Sequence, residues 1–264
     1  MATGAHRPRS ERPRSERGGS ERPKSERPRT ARPQGPVIPE DVSWFDLDRQ
    51  ARASLGSLPK DIAERVGAHL AAAGMLIADD PEAARLHTDE ARRMAGRVAT
   101  VREACALTAY ACGSFEAALT ELRAYRRLSG DQQHLPLMAD CERGLGRPER
   151  AIELAASPEA QRLPPEVARE MLIVVAGARS DLGQDETAVV LLETDPALER
   201  SGAAQDRSVL RLRYAYADAL DRVGRVDEAQ EWFVRVSNED ASSTTDAAER
   251  AASFEPIVDG VRED

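Results

Sequence analysis

From about Leu58 to Val236 the apolar positions fall into segments with helical spacing. They predict helices at 59–78, 81–95, 99–112, 115–128, 134–144, 148–156, 165–182, 185–193, 206–223 and 226–236. Ten such helices make five pairs. A second regularity lies over the first: a turn followed by an alanine five residues later. It recurs at Asp79 with Ala84, Gly113 with Ala118, Gly146 with Ala151, Gly183 with Ala188, and Gly224 with Ala229, at spacings of 34, 33, 37 and 41 residues. A period of that size marks one helix-turn-helix unit repeated along the chain.

The residue types give the repeat a physical reason. A glycine at the turn can take the left-handed conformation that ends a first helix, and an acidic residue or proline just after it suits the positive N-terminal end of the second. Small residues then let the paired helices approach closely. Ala118, Ala151, Ala188 and Ala229 hold that place in the second helices, and Ala72, Ala106, Ala139, Ala176 and Ala217 hold it in the first. Leu122, Leu192 and Phe233 follow four positions after a second-helix alanine, where they would fill the space between units. Ahead of the repeats, Ser43 to Leu55 is expected to form a short capping helix whose Trp44, Phe45 and Leu47 cover the apolar end of the first unit.

On these five turn-and-alanine phrases the chain resembles the tetratricopeptide repeat family, and more loosely the Ala- and Arg-rich repeat proteins common in actinobacteria. The resemblance implies an all-α fold, a right-handed superhelical solenoid of about five helix-turn-helix repeats. It departs from the family pattern where an early first-helix aromatic is replaced by Ala68, Leu135 or Leu172, and where the third unit is cut short near Ser157-Pro158. In such a solenoid the first helices line a concave groove that receives a peptide or protein segment. Carried over to this chain, the groove residues are Leu107, Tyr110, Asp140, Arg143, Ile173, Arg211, Tyr214 and Asp218. The family's carboxylate-gripping clamp of Lys, Asn and Arg has no counterpart, because its places carry His69, Ala73, Ala104, Gln133 and Leu137.

Charge divides the chain. Residues 1–36 carry ten basic side chains and four glutamates, a balance of +6, so the other 228 residues hold −15 to give the total of −9. Between Ser10 and Gln34 the basic part is a pentapeptide array, SERPR, SERGG, SERPK, SERPR, TARPQ, whose prolines and charges oppose a packed core. The expected organisation is a disordered basic arm over 1–42, a helical repeat body over 43–240 and an acidic mobile tail over 241–264 that carries a short helix near Thr245 to Phe254. The arm suits a solubilising role, an electrostatic contact with an anionic partner, or phosphorylation of its hydroxyls. No apolar run approaches the roughly 20 residues that span a bilayer, and nothing at the N-terminus reads as a secretion signal, so the cytoplasm is the expected compartment. Cys105, Cys112 and Cys141 form no CxxC pair and are expected to be buried free thiols.

Catalytic signatures are missing from the sequence: no P-loop, HExxH, GxSxG, GxGxxG or calcium loop occurs. His69 and His87 could meet within the first unit, but without a carboxylate or cysteine in register they are expected to be ordinary, partly exposed helical histidines. Neither a catalytic centre, a metal site nor a cofactor is expected. The leading expectation is therefore a non-catalytic scaffold or adaptor for an unidentified protein or peptide. The alternative is a nucleic-acid-associated factor that uses the basic arm, residues 1–36, for electrostatic binding.

Overall fold

The computed structural model describes residues 35–200 and 206–254. Among these residues the secondary structure is entirely helical: twelve α-helices, two short 3-10 helices and no strand. The α-helices are α1 (Arg49–Ser54), α2 (Lys60–Leu76), α3 (Pro81–Ala95), α4 (Ala99–Ala111), α5 (Phe115–Ser129), α6 (Leu135–Gly144), α7 (Pro148–Ala155), α8 (Pro165–Asp181), α9 (Asp185–Glu193), α10 (Arg207–Arg222), α11 (Val226–Glu239) and α12 (Ala247–Ser253). The ten helices from α2 to α11 begin and end within three residues of the expected positions.

Pairing follows chain order: α2 with α3, α4 with α5, α6 with α7, α8 with α9 and α10 with α11, each pair packing on the next. The turn glycines explain the regularity. Gly113, Gly146, Gly183 and Gly224 have φ between +67° and +78°, and the amide after each donates five residues back. These bonds are Ser114 to Ala109 at 2.8 Å, Arg147 to Glu142 at 2.9 Å, Gln184 to Arg179 at 2.9 Å and Arg225 to Leu220 at 3.0 Å. This is the glycine-closed helix end that satisfies otherwise orphaned carbonyls, repeated four times.

Behind the turns, Ala118, Ala151, Ala188 and Ala229 are buried, as are their first-helix counterparts Ala72, Ala106, Ala139, Ala176 and Ala217. The apolar core runs as successive clusters. One joins α2, α3 and α4 around Val66 and Val101, one extends from α4 to α8 around Leu122 and Leu135, and one from α8 to α12 around Leu212 and Phe233. Ion pairs stitch neighbouring helices: the buried Glu121 of α5 accepts from Arg92 of α3 at 3.0 Å and Arg102 of α4 at 2.7 Å. Arg213, wholly enclosed, donates to the Leu198 and Arg200 carbonyls and to the Glu239 carboxylate, tying the connection before α10 to the end of α11.

The ends differ in part from expectation. Of the arm expected over 1–42, residues 1–34 lie outside the described residues. The rest belongs to the body: Val42 is buried against Ala71 and Ala72, with Ile38 packed beside it. The expected capping helix is split into a 3-10 turn at Trp44–Asp46, capped by Ser43, and α1, capped by Asp48. Gly67 of α2 has no side chain where Trp44 seats, since a Cβ there would come within 2.7 Å of the Trp44 Cβ. In the tail expected over 241–264, the short helix expected near Thr245 to Phe254 is α12, and the segment up to residue 254 is fastened to the body at a few points. Ala247 is buried, the Phe254 ring stacks on Phe233 at 6.0 Å, and the Asp240 carboxylate accepts from the Thr244 and Thr245 amides, at 3.0 and 2.7 Å. Residues 255–264 lie outside the described set.

Candidate functional site

The first helices of the later pairs leave a cleft of about 900 Å³ between them. Tyr110 of α4 stands at one end, Leu137 and Asp140 of α6 and Val167 and Val174 of α8 lie along it, and Arg207 and Arg211 of α10 form the far wall. Pro136, Leu137, Val167 and Val174 give it an apolar floor. Two smaller clefts continue along the same helices, one of about 470 Å³ beside Phe115 and Arg143, the other of about 210 Å³ between Ile173 and Tyr214. The volume of the large cleft falls in the range that receives drug-sized ligands or a few peptide side chains.

Of the eight groove residues expected from the sequence, Tyr110, Asp140 and Arg211 line the large cleft, and Arg143, Ile173, Tyr214 and Asp218 line the smallest. Leu107 is 37% exposed and lines neither. Most of these side chains are engaged within the chain, as polar struts between successive first helices. The Tyr110 hydroxyl donates to Asp140, and its ring meets Phe115 edge-on at 5.8 Å. Burial, together with that bond, holds the phenol above its ordinary pKa. Arg143 donates to Asp140 at 2.9 Å and with two nitrogens to Asp181 of α8, at 2.8 and 3.2 Å. Its guanidinium lies where Gly177 leaves room, for a Cβ there would come within 2.6 Å of the guanidinium carbon. The struts continue to the C-terminal end. Arg211 pairs with Glu170 at 3.0 Å, Tyr214 donates to Asp246 at 2.6 Å, and Asp218 accepts from Arg222 and from Arg250 of α12 at 2.9 and 3.2 Å. Burial first, then the bond to Asp246, pushes the Tyr214 phenol up to about 12.

Sequence reasoning missed Glu166, Glu170 and Arg207. The signal was present. Glu166 and Glu170 lie seven and three residues before Ile173 on α8, and Arg207 lies four before Arg211 on α10, so both stripes needed extending by one or two helical turns. Burial raises the pKa of the Glu170 carboxyl.

The histidines meet. His69 Nδ1 and His87 Nδ1 are 3.0 Å apart and both rings are buried, 5% and 4% exposed, contrary to the expectation of partly exposed histidines. Cys105 and Cys141 are buried thiols raised to about 12 by burial. Cys112 is only half-buried, which corrects the expectation for that residue. Among the described residues no group of three or more His, Cys, Asp or Glu is placed to hold a metal ion, and no helix is long and apolar enough to cross a membrane. The Ser208 hydroxyl, which lines the large cleft, is committed to Asp206 at 2.6 Å. Compared with protein-family models and with curated proteins, the chain matches none.

Proposed function

We propose that this chain is a tetratricopeptide-type right-handed solenoid of about five repeats, a non-catalytic scaffold or adaptor that holds a peptide or protein segment in the groove of its first helices. The observation that carries this reading is the cleft of about 900 Å³, apolar at its floor and ringed by charged groups on α6, α8 and α10. An extended segment or an amphipathic helix satisfies such a surface, its apolar side chains covering the floor and its polar atoms meeting the rim. The free cysteines suit a reducing compartment, and we place the protein in the cytoplasm.

A displayed library of random peptides, selected on the full chain, tests the reading. Enriched peptides should lose binding when Leu137→Asp puts a charge on the cleft floor, and keep it when Arg127→Ala alters exposed α5. Enrichment of no peptide, or equal loss from both variants, would remove it. The alternative, nucleic-acid binding through residues 1–36, rests on their +6 balance; its mark would be salt-dependent DNA or RNA binding that disappears when those residues are deleted.

A further inference from the structure

Two ties join α2 to α3 at the N-terminal end of the body. One is internal: His69 of α2 and His87 of α3, whose Nδ1 atoms lie 3.0 Å apart with both rings buried. The other is a strap, residues 35–42, that crosses from α3 to α2. Its Gly35 lies against the Glu90 side chain, where a Cβ would come within 2.9 Å of it, and its Val42 is buried on Ala71 and Ala72. Glu90 stands three residues after His87 and acts electrostatically on His69. The strap and the histidines therefore bear on the same stretch of the α2–α3 contact.

Proton counting gives the internal tie its character. In a neutral pair one Nδ1 donates and the other accepts. A first added proton can sit on the outer nitrogen of the donating ring and leave that bond intact. A second must take the accepting Nδ1, so two donors and two positive charges meet at one hydrogen-bond distance. The surroundings do not offset them. Arg65 of α2 and Arg93 of α3 add positive charge, and the Glu90 carboxylate that opposes them already accepts from Arg93 at 2.8 Å. From α4, the Cys105 thiol donates to the Thr88 carbonyl, while Arg102 and Glu103 are bonded to Glu121 and His134. Asp46 of the 3-10 turn accepts from the Ser43 amide, and Glu40 and Asp41 of the strap are exposed.

We propose that the His69–His87 pair is an acid-operated latch for the strap 35–42: when both rings are protonated, α2 and α3 part along this contact, the strap comes away, and the pairs from α4 onward stay folded. The strap is the covalent link between the basic stretch 1–34 and the helices, so the latch sets the length of that link. Opening stays local because the α2–α3 pair is the first of the five, and the later pairs hold their own clusters around Leu122 and Phe233. Burial lowers both histidines from their ordinary value, so the closed form keeps them neutral and opening takes up protons as pH falls below about 6.5. Uptake of two protons raises the opening constant by up to about a hundredfold per pH unit.

Amide hydrogen exchange of the full chain, corrected for its intrinsic pH dependence and read on fragments, tests the latch. From about pH 7.5 to about pH 5, protection of the strap and of α2 should fall about tenfold or more, while protection of α10 changes less than about twofold. His87→Gln keeps a hydrogen-bonding group that cannot charge, so its strap should stay protected in acid; thermal melting at neutral pH checks that this variant is folded. Histidine-ring NMR of the unsubstituted chain needs no variant: two rings should titrate below the ordinary range, in step with the loss of strap protection. Strap protection that survives acid, or that is lost equally in His87→Gln, would overturn the latch. So would rings that titrate without the strap, or an equal loss in α10, which would make the event global acid unfolding.

Discussion

The two ends of the helical body use the same pairing of consecutive helices to opposite effect. Between α2, α3 and α4 the polar groups are sealed in. His69 faces His87, the Thr88 and Thr108 hydroxyls share a hydrogen bond of 2.8 Å, and the Cys105 thiol donates to the Thr88 carbonyl at 3.3 Å. Between α6, α8 and α10 the polar groups stand at a surface, and long charged side chains bridge helices across an open cleft. The pairing of helices is the same in both places, and the difference lies in which helices the polar groups join. The short groups join α2 and α4 to the second helix α3 between them, whereas Arg143 and Arg211 bridge successive first helices. The sealed end buries its polar groups inside the fold, and the strutted end leaves its polar groups on an open cleft.

The comparison can be broken most severely at the closed helix contacts. Ala118 is wholly buried between α4 and α5, so Ala118→Asp is expected to destabilise by about 2–4 kcal/mol in urea unfolding. A loss below about 0.5 kcal/mol would mean that the close contact does not carry the pair. Next in size is acid. Burial lowers the pKa of His69 and of His87, and His87, Arg65 and Arg93 push His69 down further, while Glu90 opposes. Groups whose folded pKa is depressed favour the neutral form in the folded state. Their stabilisation is therefore present above the unfolded value near 6.5 and is lost as pH falls below it. With both rings titrating, stability should fall by up to about 1.4 kcal/mol per pH unit for each proton. The pH dependence should flatten in His69→Phe. An unchanged slope in that variant would sink the assignment.

The helices were legible because the repeat writes each of them twice, as helical spacing of apolar residues and as a glycine turn with its alanine. The ends were less legible because scattered side chains rather than a repeated pattern fasten them: Val42 and Ile38 at one end, Ala247 and Phe254 at the other. The meeting of His69 and His87 follows from their places on paired helices. Their burial does not, since it depends on how closely the surrounding helices pack. Arg213 illustrates the limit best. It occupies a helix position that looks like any other arginine, yet it is enclosed because two carbonyls of the α9–α10 connection turn towards it. The cleft was half legible. Register counted from the turns reached Tyr110, Asp140 and Arg211, but α8 and α10 run further than α6, and their first turns supply Glu166 and Arg207.

A smaller effect separates strut from contact at Tyr110. The phenol is bonded to Asp140 and its ring rests on Phe115, so the alanine variant removes packing as well as any contact with a partner. Tyr110→Phe keeps the ring and is the cleaner probe. It should lower stability by about 1 kcal/mol through the lost hydrogen bond, measured by urea unfolding. A variant as stable as the parent would mean that the strut adds nothing and that Asp140 is satisfied by Arg143 alone.

The smallest expected effect is the most informative about the cleft. Arg207 is exposed, has no partner among the described residues, and stands at the positive end of α10 with Arg211 one turn away. Removing its charge relieves an unfavourable helix end and a like-charge neighbour, each worth a few tenths of a kcal/mol. Arg207→Ala should therefore leave the unfolding free energy unchanged or raise it by up to about 0.5 kcal/mol, more at low salt than at high salt, where the helix end and the neighbour are screened. Arg213→Ala, by contrast, should cost several kcal/mol, because two carbonyls and the Glu239 carboxylate lose their donor inside the core. Two arginines six residues apart on one helix would then respond in opposite directions. A destabilisation by Arg207→Ala of more than about 1 kcal/mol would show that the side chain holds the fold together.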